Sequence, residues 1–148
     1  MSDSFKARAL SGFYGSPMTM QFSAVGLVAD DMTATLAFYR LLGLDIPTEA
    51  DAEPHVDVIL PGGVRLMWDS AETVRSVDPT WTPPSGGHRA ALAFDCGSPS
   101  AVDSAYAEIT AAGYDGHHEP WDAFWGQRYA TVLDPDGNPV DLFAALTT

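Results

Sequence analysis

The sequence predicts an α+β fold: two tandem βαβββ modules whose strands form an open, curved mixed sheet around a groove. Three observations carry this expectation. The stretch Trp125-Gly126-Gln127-Arg128-Tyr129-Ala130-Thr131-Val132-Leu133-Asp134-Pro135-Asp136-Gly137-Asn138-Pro139-Val140-Asp141-Leu142-Phe143 reads as two strands joined by a turn. Pro135 presets the first turn corner, and Gly137-Asn138 tolerate positive φ. Leu42-Gly43-Leu44-Asp45 has a weaker copy in Ala112-Gly113-Tyr114-Asp115, with the glycines 70 residues apart. Each copy is followed by a strand, a Gly-containing turn and a further strand; the earlier turn is Pro61-Gly62-Gly63.

The elements follow in order. Residues 22–29 form an apolar run with β-branched members, which suits a buried strand. Asp31 is a good N-cap for the helix that follows. Met32, Leu36, Tyr39 and Leu42 line one face of it, and Gly43 ends it. Residues 55–60 and 64–69 read as two strands about the Pro61-Gly62-Gly63 turn. From residue 70 to residue 87 the texture changes to a connector, and its segment 78–87 is too rich in Pro and Gly for regular helix. Such segments are stiff, so Trp81 is expected to pack on something. The second module opens with a small-residue strand over 89–95. Ser98-Pro99 gives an N-cap followed by proline at the first helical position. Val102, Tyr106 and Ile109 mark the buried face, and Gly113 ends the helix. A short strand over 114–120, a loop at Trp121-Asp122-Ala123-Phe124 and the closing hairpin complete the module.

The domain organisation expected is an N-terminal extension over 1–20 and one domain over 21–148. Within it, module one spans 21–69, the linker 70–87 and module two 88–148. A chain of 148 residues with 46% hydrophobic content suffices for one such core. The balance of 7 basic against 20 acidic residues gives −13, a surface that repels nucleic acid and anionic membrane and attracts cationic small molecules. Acidity for solubility alone would look the same. One cysteine, Cys96, excludes an intrachain disulfide and fits a reducing compartment. No apolar run approaches ~20 residues, so no membrane span is expected. The N-terminus lacks the charged-then-apolar pattern of a signal peptide, and a cytoplasmic location is the expectation.

Asp31-Met32 through Phe38-Tyr39 with Leu42-Gly43-Leu44, and Trp125-Gly126-Gln127-Arg128-Tyr129 with Asp134-Pro135-Asp136-Gly137-Asn138, resemble the vicinal oxygen chelate superfamily. That superfamily includes glyoxalase I, extradiol dioxygenases and bleomycin-resistance proteins. The resemblance covers roughly residues 21–146 and is nearest to the glyoxalase-like and bleomycin-resistance branch. It implies a divalent metal held by side chains from both modules at the groove floor. Carried over by position, the first ligand place falls on Ala24 and the next on Leu66 or Met67. The third falls on Arg89, or with a one-residue slip on His88, and the last on Asp141. Only Asp141 is a ready ligand, with His88 a second possibility, so no metal and no other cofactor is expected. A divalent metal is the minority reading. Asp141 then reads as an anionic contact in the groove, or as partner to Arg89 or Arg65.

Other groups were weighed by their chemistry. On one strand, His117 and Glu119 would share a face with His118 opposite, and His55 or His88 could add a third ligand; surface histidines are the plainer reading. Cys96 reads as an inert buried thiol, because no cationic neighbour is expected to lower its pKa. Arg128 reads as an ion-pair strut. Trp121 and Trp125 bracket a loop that borders the ligand groove in the resembling proteins, and an indole there can stack on a flat ring or hold a cation. Trp68 and Phe124 belong to the same aromatic set, some of which must fill the core.

The expectation is therefore a metal-free protein that binds a small aromatic or cationic molecule through Met67, Arg89, Trp121, Trp125 and Asp141. The alternative is a lyase, isomerase or dioxygenase acting on a small oxygenated substrate, either through a metal held in some other arrangement or metal-free with Asp141 as its base. Exposed sheet edges and the resemblance together imply a homodimer, a form that in the resembling proteins sometimes exchanges a unit.

Overall fold

The computed structural model describes residues 19–146. Nearly all of the expected N-terminal extension lies outside them. Three helices and two mixed sheets follow from the chain in the order expected, with two exceptions. The first sheet contains β1 (Ala24–Ala29), β2 (His55–Ile59) and β3 (Arg65–Ser70), in the order β1-β3-β2. The second contains β4 (Leu92–Asp95), β5 (Gly116–Ala123), β6 (Gln127–Leu133) and β7 (Pro139–Ala145), in the order β4-β7-β6-β5. In each sheet the opening strand runs parallel to the last strand of its unit, and the remaining pairings are antiparallel. The α+β class and the duplication are as read from the sequence.

The helix signals act locally as expected. In α1 (Met32–Leu41) the Asp31 carboxylate accepts from the Ala34 N–H at 3.2 Å. In α3 (Pro99–Ala111) the Ser98 hydroxyl oxygen accepts from the Ala101 N–H at 3.2 Å, and proline opens the helix. Gly43 and Gly113 follow the two helices at φ 101° and 99°, a backbone region that disfavours any side chain.

The first exception is the size of unit one. It has three strands among the described residues, so it is βαββ where βαβββ was expected. A 3₁₀ turn, Thr48–Ala52, stands between α1 and β2. Pro47 lacks an N–H, and the Arg40 guanidinium bonds the Ile46 and Pro47 carbonyls at 2.7 and 2.8 Å and Asp51 at 2.8 Å. Carbonyls held by a side chain are not free for a strand ladder. The second exception is the connector. Its first part is a short helix, α2 (Ala71–Val77), capped by Ser70, whose hydroxyl accepts from the Thr73 N–H. The Pro-rich part after it is irregular, as expected, and Trp81 packs beneath the Arg75 guanidinium at 5.1 Å.

One further boundary moves. Trp121, Asp122 and Ala123 belong to β5, not to a loop, because they pair with Tyr129, Arg128 and Gln127. The turn is confined to Phe124-Trp125-Gly126, where Gly126 has φ 93°. Pro120 fits within β5 because that strand lies at the sheet edge.

Leu36, Phe38, Tyr39 and Trp68 of unit one and Val102, Ile109, Val132 and Leu142 of unit two share one core. Phe38 meets Tyr114 edge to face at 5.1 Å, across the two units. The turn between β6 and β7 fastens them. The Asp134 carboxylate, 4% exposed, accepts from the Tyr39 hydroxyl at 2.7 Å, from the backbone N–H groups of Asp136 and Asn138, and from the Asn138 side chain. Asp136 in turn accepts from the Asp30 N–H at 2.8 Å and the Thr35 hydroxyl at 2.7 Å. Gly137 carries the positive φ that the turn needs, and Asn138 does not share it.

A buried hydrogen bond to a charged acceptor contributes about 1.5–3 kcal/mol. Tyr39→Phe should therefore lower the urea unfolding free energy by about 2 kcal/mol with little change in m. A loss below about 0.5 kcal/mol would mean that Asp134 is not held by this hydroxyl.

Candidate ligand face

Strand pairing decides which side chains share the open face of each sheet. In sheet two, Tyr129 stands opposite Phe143, Thr131 opposite Asp141, and Trp121 opposite Tyr129. The alternate residues Ala130, Val132, Val140, Leu142 and Ala144 are buried on the other side, where α3 packs. The open face is therefore a row of rings with an acid beside it.

The rings touch in sequence. Trp121 meets Trp125 at 5.5 Å and 90°, Trp125 meets Phe124 at 4.9 Å and Tyr129 at 5.2 Å, and Tyr129 stacks on Phe143 at 6.4 Å. His118 lies 5.4 Å from Trp121. Each such pair contributes about 0.5–1.5 kcal/mol beyond area burial, so the indoles are held in place before any ligand arrives. The Trp125 N–H donates to Gln127 at 2.8 Å, which fixes its ring further. Yet Phe124 is 91% and Trp125 48% exposed. Large rings left open to solvent in one contiguous patch are unusual on a protein surface.

Asp141 is fixed at the centre of this face. The Tyr129 hydroxyl donates to one oxygen at 2.6 Å and the Thr131 hydroxyl to the other at 2.8 Å. Burial, and then the hydrogen bond to Asp141, push the Tyr129 phenol up to about 12, so it remains a donor at neutral pH.

The open face of sheet one is different. Its rows are Val28–Asp69–His55, Gly26–Met67–Asp57 and Ala24–Arg65–Ile59. Here His55 contacts Asp69 at 2.7 Å and Asp57 at 3.1 Å, and Arg65 approaches Asp57 at 3.4 Å. Only a protonated imidazole can donate to two carboxylates at once. The hydrogen bond to Asp69, then that to Asp57, raises the His55 pKa above the usual imidazole value.

A protein-family model of the glyoxalase/bleomycin resistance protein/dioxygenase superfamily matches residues 21–142. The chain belongs to this superfamily. A glyoxalase/bleomycin resistance protein/dioxygenase family enzyme from Burkholderia phytofirmans PsJN superposes with a TM-score of 0.73 at 21% identity, covering 86% of this chain and 100% of its own. A glyoxalase/bleomycin resistance protein/dioxygenase from Nocardioides gives 0.68 at 24% identity, with 96% and 94% covered. A protein from Agrobacterium tumefaciens, solved in solution, gives 0.67 at 26% identity, with 86% and 98% covered. These likenesses bear on the fold. None of the curated proteins matches the chain.

The metal that the superfamily's enzymes hold does not fit the residues at the corresponding places. Pairing puts Met67 on the open face and Leu66, 2% exposed, in the core, so Met67 occupies the second place. Ala24 and Met67 offer no oxygen or nitrogen. Both oxygens of Asp141 are taken by hydroxyl donors. Among the described residues no group of three His, Cys, Asp or Glu side chains is placed to hold an ion.

Of the residues singled out in the sequence, Trp121, Trp125 and Asp141 come together through Tyr129. No hydrogen bond or ion pair links Met67 or Arg89 to them among the described residues. Met67 lies on sheet one between charged neighbours, and Arg89 is exposed ahead of β4, without an ion pair among the described residues. Asp141 has hydroxyl partners in place of the expected Arg89 or Arg65; Arg65 goes to Asp57. His118 turns toward Trp121 because β5 changes register on both sides of it. Arg128 is a strut, bonding Asp103 of α3 at 2.9 Å and Asp122 at 3.1 Å. Cys96 is partly buried, and burial raises its thiol pKa. Tyr129, Thr131 and Phe143 were not singled out. Their alternation with Asp141 along two paired strands was the available signal.

Two titrations test this geometry. Absorbance titration should find one tyrosine ionising near about 12, and Asp141→Asn should lower that value without returning it to the ordinary one near 10. An unchanged tyrosine in the variant would separate the two residues. For His55 the folded pKa lies above the unfolded value, so its stabilisation is present below about pH 6.5 and fades as pH rises through the raised pKa. Exposure keeps it small. The difference in melting temperature between wild type and His55→Gln should be larger near about pH 5.5 than near about pH 9.

Proposed function

We propose that the protein binds a small aromatic cation without a metal, on the open face of the second sheet. The observation that carries this reading is the row of part-buried rings Trp121, Tyr129 and Phe143, with the exposed Trp125 at its end, beside a pinned carboxylate. A flat ring can insert against the indoles and lose apolar surface to them. A positive charge gains from the ring faces and from Asp141. The formal charge of −13 adds a long-range attraction of the same sign. Membership of a superfamily that includes bleomycin-resistance proteins is in keeping with such a role. The alternative, a lyase, isomerase or dioxygenase step, would use Asp141 as base through the lone pairs that its two hydroxyl donors leave free, or a metal held by other residues, and it gives the exposed Trp125 ring no part. Binding is the reading that uses the side chains as they stand.

Proflavine, a planar cation, should quench tryptophan fluorescence with saturation, and acridine, uncharged near neutral pH, should bind more weakly. Trp125→Ala should weaken proflavine by about tenfold, the scale of one lost stacking contact with its burial. Equal binding of both dyes, or full affinity in Trp125→Ala, would remove the basis for the proposal. Exhaustive chelation should leave proflavine affinity unchanged.

A further inference from the structure

A second concavity lies apart from the aromatic face, at the joint between the two units. It has a volume of about 460 Å³, within the range of small-molecule sites. Its walls come from β1, the start of α2, the Pro-rich connector and the turn between β6 and β7. Trp81, Pro83 and Pro84 of the connector line it together with Val28, which makes part of the lining apolar, and the Pro-rich segment that supplies it is stiff. The Arg75 guanidinium over the Trp81 ring helps to hold that indole. The lining also carries Asp30 and Asp136, and it includes no Lys or Arg.

The two acids are not equivalent. Asp136 spends both oxygens on the joint, accepting from the Asp30 N–H and the Thr35 hydroxyl. Asp30 is exposed, and its carboxylate has no hydrogen-bond or ion-pair partner among the described residues. The backbone of Asp30 is nevertheless fixed, by that same bond to Asp136. The cleft thus presents one unpaired anionic group on a rigid mount, a few side chains from an indole and two proline rings. A charge of that kind is complementary to a cation, and the wall beside it to an apolar ring.

We propose that this cleft binds a small protonated amine carried on an aromatic ring, with the ammonium group at Asp30 and the ring against Trp81 and the connector prolines. The site shares no residue with the aromatic face of sheet two, and its occupancy does not depend on that face. A ligand here touches both units at once, and so strengthens the joint that Asp136 makes.

Tryptamine is a suitable probe, with tryptophol as the uncharged molecule of the same skeleton. The full chain contains four tryptophans, so isotope labelling gives four indole N–H resonances that report separately. The titration is run at about pH 8, where a primary alkylamine such as that of tryptamine is protonated. Tryptamine should move the Trp81 resonance with saturation, and tryptophol should do so at least about fivefold more weakly. Asp30→Asn, which keeps the backbone bond to Asp136, should weaken tryptamine by the same factor and leave tryptophol unchanged. An unmoved Trp81 resonance up to millimolar tryptamine would overturn the proposal. Equal response to the two probes, or no effect of Asp30→Asn, would do so too. Trp121 and Trp125 report the aromatic face in the same spectra. Loss of binding there with a shift at Trp81, or the reverse, therefore tells the two sites apart.

Discussion

Everything else in the molecule is positioned by one buried carboxylate. Asp134 lies in the turn between β6 and β7, and four donors converge on it. Three come from its own turn, and one, the Tyr39 hydroxyl, comes from the helix of the other unit. A carboxylate taken out of water costs several kcal/mol unless its lone pairs are filled. Here they are filled by groups that must be correctly placed. The turn fills most of the acid's lone pairs itself, and α1 supplies the one donor that completes the set from the other unit. Asp136 repeats the logic one step outward through Asp30 and Thr35. Two acids that the sequence presents as ordinary turn formers are in fact the fastening between the units. The cost of burying Asp134 is offset only in the assembled fold, which makes it a source of specificity as much as of strength.

Local signals were legible in the sequence because local chemistry decides them. Asp31 and Ser98 satisfy helix N–H groups within three residues of themselves, and Gly43 and Gly113 relieve a backbone angle at a single position. What escaped was decided at a distance. The fourth strand of unit one is replaced by a 3₁₀ turn because Arg40 claims its carbonyls from another element. The α2 helix was hidden in a connector whose later half is indeed irregular. The length of β5 was underread because Trp121 looked like a loop residue until Tyr129 was placed beside it. Pairing gave that strand its last residues, and pairing is invisible to composition.

The candidate site divides along the same line. The hairpin motif brought Trp125 and Asp141 into view, and Trp121 followed from its place beside the turn. The rings that complete the row, Tyr129 and Phe143, needed the register. One step of slip would send them into the core and bring Ala130 and Leu142 out. Met67 and Arg89 were drawn in by position alone. Their chemistry did not argue for a shared site, and the structure gives Met67 charged neighbours and leaves Arg89 exposed.

The two halves keep one backbone plan and present opposite surfaces. On sheet one the open face is an exposed network of His55, Asp69, Asp57 and Arg65. Solvated ion pairs of this kind contribute about 0–1 kcal/mol each, and water competes for every partner. A ligand gains little by displacing that water. On sheet two the open face is apolar rings, where each Å² covered contributes about 25 cal/mol and nothing has to be desolvated first except one acid already held by two hydroxyls. The asymmetry decides where recognition can be strong. The two faces, of three and four strands, differ above all in their side-chain chemistry, ionic on the first and aromatic on the second. The cleft at the joint follows the same rule on a smaller scale. It brings the Trp81 ring into one lining with Asp30, whose carboxylate has no partner among the described residues, so a bound cation would replace solvent there rather than an existing bond.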